Sequence, residues 1–179
     1  IIIVGGMANN ILKFRGYPIG KSIREENSET IVNEIFKAAK KHGCCLTFPE
    51  DVAVGKNKED SRKIKEINEI KEDDLILDIG PKTINKIKKI IENSKTVLWN
   101  GPAGYFENPN FRKGSLEIAK KIKEKNEDNS FYSVAGGGDT IAVLNLTKTL
   151  RYFNFSSTAG GAFLEYLEGK ELPGIKALN

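Results

Sequence analysis

Residues Ser133-Val134-Ala135-Gly136-Gly137-Gly138-Asp139-Thr140 run an apolar stretch through three glycines into an acid and a hydroxyl, and a helical pattern follows. That order of residue types suits phosphate binding. Three glycines clear one surface of side chains, so successive N–H groups face an anion, and the N-terminus of the next helix adds partial positive charge. Asp139 is then placed to meet a divalent metal carried on the phosphates. The plainer reading of a lone glycine triplet is a tight strand-to-helix turn capped by Asp139 or Thr140. Four further junctions favour the first reading: Ile3-Val4-Gly5-Gly6-Met7, Leu77-Asp78-Ile79-Gly80-Pro81, Leu98-Trp99-Asn100-Gly101-Pro102-Ala103-Gly104 and Ser157-Thr158-Ala159-Gly160-Gly161. Each runs from an apolar strand through glycine into a helical pattern, and in an open parallel sheet such loops gather at the carboxyl ends of the strands, where ligands bind.

Two better-known nucleotide motifs are absent. Gly16-Tyr17-Pro18-Ile19-Gly20-Lys21-Ser22 has three residues between its glycines where a Walker A loop needs four, and no strand feeds into it, so it reads as a turn. Gly136 and Gly138 have the first spacing of a dinucleotide fingerprint, but Ile141 stands at the third glycine position and no acidic strand end follows about twenty residues on. A dehydrogenase is disfavoured.

The elements that must position these loops alternate. Ile1 to Val4 reads as a buried parallel strand needing neighbours on both sides, which implies a start within a domain. Met7 to Phe14 reads as a short helix, Gly16 to Gly20 as a turn, and Ser28 to Lys41 as a helix with Ile31, Ile35 and Ala38 at helical spacing. Strands are expected at Cys44 to Phe48, Val52 to Val54, Leu75 to Asp78, Thr96 to Asn100, Phe131 to Ala135 and Asn154 to Ser156. The charged segment from Gly55 to Asp74 has room for a short helix. Further helices are expected near 81–93, 112–126, 140–150 and 160–168. The pattern is α/β with a mostly parallel sheet.

Length and composition agree with one domain: 179 residues and 39% hydrophobic content suffice for a single core. No apolar run is long enough to span a bilayer, and the N-terminus lacks the basic region and small-residue cleavage site of a signal peptide, so the expected location is cytoplasmic, with no membrane partner. Cys44 and Cys45 are adjacent, point to opposite faces of the expected strand and read as core packing. The net charge of +4 is spread over helices that mix Lys with Glu and Asp, not clustered with aromatics as nucleic-acid binding asks.

Taken in order, Gly5-Gly6-Met7-Ala8-Asn9, Phe48-Pro49-Glu50-Asp51-Val52, Asp78-Ile79-Gly80-Pro81, Trp99-Asn100-Gly101-Pro102-Ala103-Gly104-Tyr105-Phe106-Glu107 and Gly136-Gly137-Gly138-Asp139-Thr140 resemble phosphoglycerate kinase. The run from Ser157 through Gly161 to Leu164-Glu165-Tyr166-Leu167-Glu168-Gly169-Lys170-Glu171-Leu172-Pro173-Gly174 is similar to the tail of that family, and together the motifs cover essentially the whole chain. The resemblance implies a glycolytic enzyme of two Rossmann-like three-layer domains. One holds 3-phosphoglycerate or 1,3-bisphosphoglycerate, the other ATP or ADP with Mg2+, and hinge closure joins them. Residues 1–179 resemble the second, C-terminal domain, of a parent expected to be a monomer. Carried over position by position, the resemblance implies that Gly5, Gly6 and Leu77 line the adenine pocket. Asn100 and Pro102 flank the nucleotide, and Glu107 accepts hydrogen bonds from the ribose. Gly137, Gly138, Asp139 and Thr140 meet the phosphates, with Asp139 the magnesium ligand, and Thr158, Gly160 and Gly161 face the transferring phosphoryl group.

Phosphoryl transfer asks chiefly for positioning and for positive potential spread around a loose transition state, which backbone amides and a metal supply in part. The chain departs from the family pattern at Val4 and Ala159, where glycine is common, and at Asn10, where threonine is common. The family's phosphate-binding lysines and its acceptor-domain arginine, aspartate, asparagine and histidine have no counterparts, and the single His42 inherits no role. The chain alone is therefore expected to be inactive. The competing expectation is a non-catalytic nucleotide-binding or protein-interaction module whose glycine loops serve the fold.

Overall fold

The computed structural model describes residues 1–178 as two compact units, residues 1–90 with 102–118 and residues 91–101 with 119–179. In the first, helices α1 (Gly5–Phe14) and α2 (Glu29–Lys41) precede an antiparallel sheet of β1 (Asp51–Gly55), β2 (Lys63–Glu66) and β3 (Leu75–Ile79) in the order β2-β1-β3. Central β1 is buried along its whole length, as a strand paired on both sides should be. The chain then passes through α3 (Pro81–Glu92), β4 (Thr96–Asn100), α4 (Lys113–Lys125), β5 (Tyr132–Gly136), α5 (Gly138–Leu146), β6 (Phe155–Ser157), α6 (Gly161–Leu167) and α7 (Pro173–Lys176). Strands β4, β5 and β6 form a parallel sheet in that order, the α/β layer expected from the strand-and-helix alternation.

Two buried carboxylates fix where helices begin. Asp51, in β1, accepts the Lys82 N–H at 2.9 Å, the Thr83 N–H at 2.8 Å and the Thr83 hydroxyl at 2.7 Å, so the first turn of α3 is capped from another element. Gly80 has to be glycine because a Cβ there would run into that carboxylate. Asp78, at the end of β3, accepts the Gly114 N–H at 2.9 Å in the first turn of α4, the Ile79 N–H at 2.9 Å and Arg62 Nη1 at 2.9 Å. Burial pushes the Asp78 carboxyl up to about 6, against the pull of the Gly114 N–H and the Arg62 charge.

Four expectations are corrected. Ile1 to Val4 and Cys44 to Phe48 are extended segments joined by a single parallel bridge, Ile2 to Thr47, and are not strands. Cys45 is consequently exposed and Cys44 half-buried, so neither packs a core. On α2 the inward stripe is Val32, Phe36 and Ala39, because Phe36 stacks on Phe14 of α1 with ring centroids 5.9 Å apart; Ile31, Ile35 and Ala38 face outward. The charged segment before β3 holds strand β2 and a single turn of 3-10 helix at Ile67–Glu69. The Lys-Ile-Lys-Glu of β2 is an edge strand with exposed charge, which hides its strand character in the sequence.

Asp74 ties the first unit's loops together. Its side chain is nearly inaccessible and accepts Lys65 Nζ at 2.5 Å, the Lys71 N–H at 2.7 Å and Lys56 Nζ at 3.0 Å. Burial alone would raise its pKa, but the Lys65 ammonium, the Lys71 N–H and the Lys56 ammonium outweigh it and hold the carboxyl at about 2. A depressed carboxyl stabilises the fold above its unfolded-state pKa and loses that contribution as pH falls. Asp74→Asn is expected to cost about 2 kcal/mol at neutral pH. The gap between variant and wild type should close as pH drops from about 4 to about 2 in urea titrations followed by circular dichroism.

Candidate nucleotide-phosphate site

The loop leaving β5 turns at Gly137, whose φ of 91° lies in the region that disfavours side chains. A Cβ on Gly137 would stand 2.9 Å from Asn100 Oδ1 and 3.6 Å from the Gly160 Cα, and a Cβ on Gly160 would stand 3.1 Å from the Gly137 Cα. The two backbones therefore approach closely only because both residues are glycine. Gly137 N–H donates to Ser157 O at 3.0 Å, which fastens the β5 loop to the end of β6. Thr140, fully buried, accepts the Gly101 N–H on Oγ1 at 2.7 Å and so ties the loop after β4 to α5.

Because β4, β5 and β6 are parallel, their carboxyl ends lie at one edge, and the loops there enclose a hollow of about 290 Å³ lined by Asn100, Gly101, Gly137, Gly138, Asp139, Thr140 and Gly160. A Cβ on Gly138 would meet nothing within 4 Å, so the first turn of α5 is open at this point. Its leading N–H groups have no partners within the helix and carry the positive end of the helix dipole. Asp139 is exposed in that first turn. Among the described residues no cluster of three or more His, Cys, Asp or Glu would hold a metal unaided. A single carboxylate beside an amide cradle instead fits a cation that arrives with phosphate oxygens as its other ligands.

The first unit has a separate cavity of about 360 Å³, lined mostly by apolar groups and by Gly5, Gly6, Leu77, Pro102 and Tyr105 among others. Gly5 opens α1 with φ 62°, and a Cβ there would stand 3.2 Å from Pro102 O. Lys58, also in the lining, places its ammonium 4.8 Å from the centre of the Tyr105 ring. Asn9 donates from Nδ2 to Ile23 O at 2.9 Å, and its buried Oδ1 has no partner among the described residues.

Of the residues singled out by sequence, Asn100, Gly137, Gly138, Asp139, Thr140 and Gly160 line the hollow of the second unit, and Gly5, Gly6, Leu77 and Pro102 line the cavity of the first. Glu107, Thr158 and Gly161 line neither; Glu107 is exposed and its carbonyl accepts Arg112 Nη2 at 3.0 Å. Ala159 is exposed and also outside the lining, so its methyl does not crowd the cradle. Sequence reasoning missed Lys58, which lies in a charged segment that reads as solvated surface. It also missed Ser22, whose Oγ accepts the Ile76 N–H at 2.8 Å and so holds the Gly16–Gly20 turn on β3.

Parallel strands ending in glycine loops, with helices between them, define an α/β protein of the Rossmann-like class. The chain belongs to the phosphoglycerate kinase family, whose family model matches residues 1–170. A phosphoglycerate kinase of Zymomonas mobilis is 46% identical over 99% of the chain, and one of Azorhizobium caulinodans is 41% identical over the same share. These matches cover 45% and 46% of those relatives, so the chain spans about half their length. The solved structure of phosphoglycerate kinase from Coxiella burnetii superposes with a TM-score of 0.90 at 37% identity, covering 99% of this chain and 46% of that one. The enzyme from Pyrococcus horikoshii superposes with a TM-score of 0.73 at 28% identity, covering 99% and 44%.

The glycine geometry makes a paired expectation. Gly137→Ala should cost about 1–3 kcal/mol, since it combines a positive φ with a collision at Asn100. Gly138→Ala should leave the melting temperature unchanged or slightly raised, because it adds a helix-favouring residue in open space. Thermal unfolding of the two variants side by side checks both.

Proposed function

We propose that the chain provides the ATP- or ADP-binding portion of a kinase that moves a phosphoryl group between 1,3-bisphosphoglycerate and ADP, giving 3-phosphoglycerate and ATP. The observation that carries this reading is the hollow at the carboxyl edge of β4, β5 and β6, where three loops bring glycine backbone and the open turn of α5 around one acid. Family membership supports the same reading. In it, Gly137, Gly138 and Thr140 bind the phosphates, and Asp139 holds the Mg2+ that accompanies them. When bound, Mg2+ would draw off phosphate charge. Asn100 shapes the cradle through its packing against Gly137. Gly160, with Thr158 and Gly161 beside it, faces the phosphoryl group to be transferred. The apolar cavity lined by Gly5, Gly6, Leu77 and Pro102 takes the base, and Glu107 takes the ribose.

The complete enzyme would act in glycolysis in the cytoplasm as a monomer. The described residues include no helix long and apolar enough to cross a membrane. The acceptor substrate is assigned to the half of the relatives' length that the chain does not span. Holding two reactants in register supplies a large part of such catalysis, so these 179 residues alone are expected to turn over no ATP with 3-phosphoglycerate.

Calorimetric titration of Mg-ADP into the purified chain should give saturable binding that Asp139→Ala weakens at least tenfold. Wild-type protein that is folded and binds no Mg-ADP, or an Asp139→Ala variant that binds equally well, refutes the assignment. A coupled assay of the same preparation with ATP and 3-phosphoglycerate should read no turnover.

A further inference from the structure

The parallel sheet of the second unit is covered on one face only. Register places Trp99, Ala135 and Ser156 in one row, with Val97 and Ser133 in the next row of that face. Leu98, Val134 and Phe155 form a row on the opposite face, with Thr96 and Tyr132 beside it. On the first face Ser133 and Ala135 are fully buried and Trp99 is 7% exposed. On the second, Leu98 is 41%, Tyr132 49% and Phe155 51% exposed. The asymmetry has a topological cause. The connections β4-α4-β5 and β5-α5-β6 advance in the same direction across the sheet, so right-handed crossovers put both helices on the same face. Parallel sheets are almost always covered on both faces, and apolar rows of this kind mark an interaction surface.

We propose that the bare face of β4, β5 and β6 is the docking surface for an amphipathic helix from the part of the polypeptide that the relatives possess and these 179 residues do not span. Three observations favour this occupant. The relatives are more than twice as long as the matched segment, which leaves ample chain to supply it. Among the described residues no strand pairs with the outer edge of β4. A strand added there and winding away from β5 would, by the same handedness, deliver its crossover helix onto the bare face. The size also fits. The row from Leu98 to Phe155 crosses two strand spacings, about 10 Å, which is the diameter of one helix. The surface asks for a partner with aliphatic or aromatic residues at helical spacing. The inference rests on family membership and topology, and stands whether or not the glycine hollow binds nucleotide.

The probe is the segment of the Zymomonas mobilis relative that this chain does not match, produced as a separate polypeptide and mixed with the purified 179 residues. Sedimentation velocity should show a one-to-one complex. A Leu98→Ser, Phe155→Ser double variant should weaken it at least tenfold, whereas Ile31→Ser, an exposed apolar residue of the first unit, should not. Hydroxyl-radical footprinting of the wild-type chain, which does not depend on how the variant folds, should show at least a fivefold loss of labelling at Tyr132 and Phe155 when the probe is added. Absence of a complex with folded wild-type chain, or unchanged labelling at those residues, overturns the proposal. So does a wild-type dimer that the double substitution dissolves, since a second copy would then be the occupant.

Discussion

The candidate site depends on how closely two backbones can approach each other. Gly137 and Gly160 come within a distance that no β-carbon tolerates, and Asn100 fills the remaining space beside them. Everything of chemical interest in the second unit follows from that approach. It turns the chain sharply enough for α5 to start at the sheet edge and leaves the helix's leading N–H groups facing an open hollow. It also places Asp139 in the first turn, beside the hollow instead of across it. The side chains that look functional by type are partly engaged elsewhere: the Thr140 hydroxyl is already the acceptor for Gly101 N–H, so its first duty is to brace the cradle. A phosphate cradle built from amides costs no side-chain entropy and needs no reorganisation on binding, which suits a reaction governed by positioning.

A second constraint acts on the first unit, where buried carboxylates are tolerated only because each is surrounded by donors. Asp51 caps α3 and Asp78 caps α4, so the directions of both helices are set by strands that precede them. Removing either acid would strand several N–H groups in a dry setting. The two acids differ in one respect: Asp78 also has Arg62 against it, yet its pKa stays raised, so here desolvation outweighs the ion pair. Asp74 shows the opposite balance, with two ammonium groups and an N–H overcoming burial. The number of donors converging on each carboxylate, not burial alone, decides the sign.

Much of this was legible in the residues. The helices from α1 to α6 and the strands β1 and β3 to β6 lie close to where periodicity and glycine punctuation put them, and the glycine triplet at 136–138 does open a helix at a sheet edge. What escaped reading has physical reasons. β2 carries charges because it is an edge strand, and period-two alternation is weak over four residues. The inward face of α2 was displaced by one residue because a single aromatic pair, Phe14 with Phe36, decides it, and helical spacing alone allows two neighbouring stripes. Cys44 and Cys45 look like core residues by type, but their segment makes only one bridge and lies at the surface. Lys58 stands at the cavity through a contact fifty residues away in sequence, which no local pattern encodes.

The two hollows differ in what holds them in shape, and that difference bears on how each would respond to a ligand. The glycine hollow is bounded by backbone whose freedom is already restricted by close approach and by the Gly137 N–H to Ser157 O and Gly101 N–H to Thr140 bonds. Such a site is ordered before anything binds, and its affinity is not taxed by ordering. The cavity of the first unit is bounded by side chains, several of them mobile by type, with Lys58 resting on Tyr105 at the surface. A planar apolar group entering there would gain area against Leu77 and Pro102 while competing with, or stacking beneath, that cation and ring. Phosphate recognition is therefore built into the main chain, where substitution is costly, and base recognition into side chains, where it is cheap. Sequence change among relatives should accordingly retune the base cavity while leaving the cradle glycines in place.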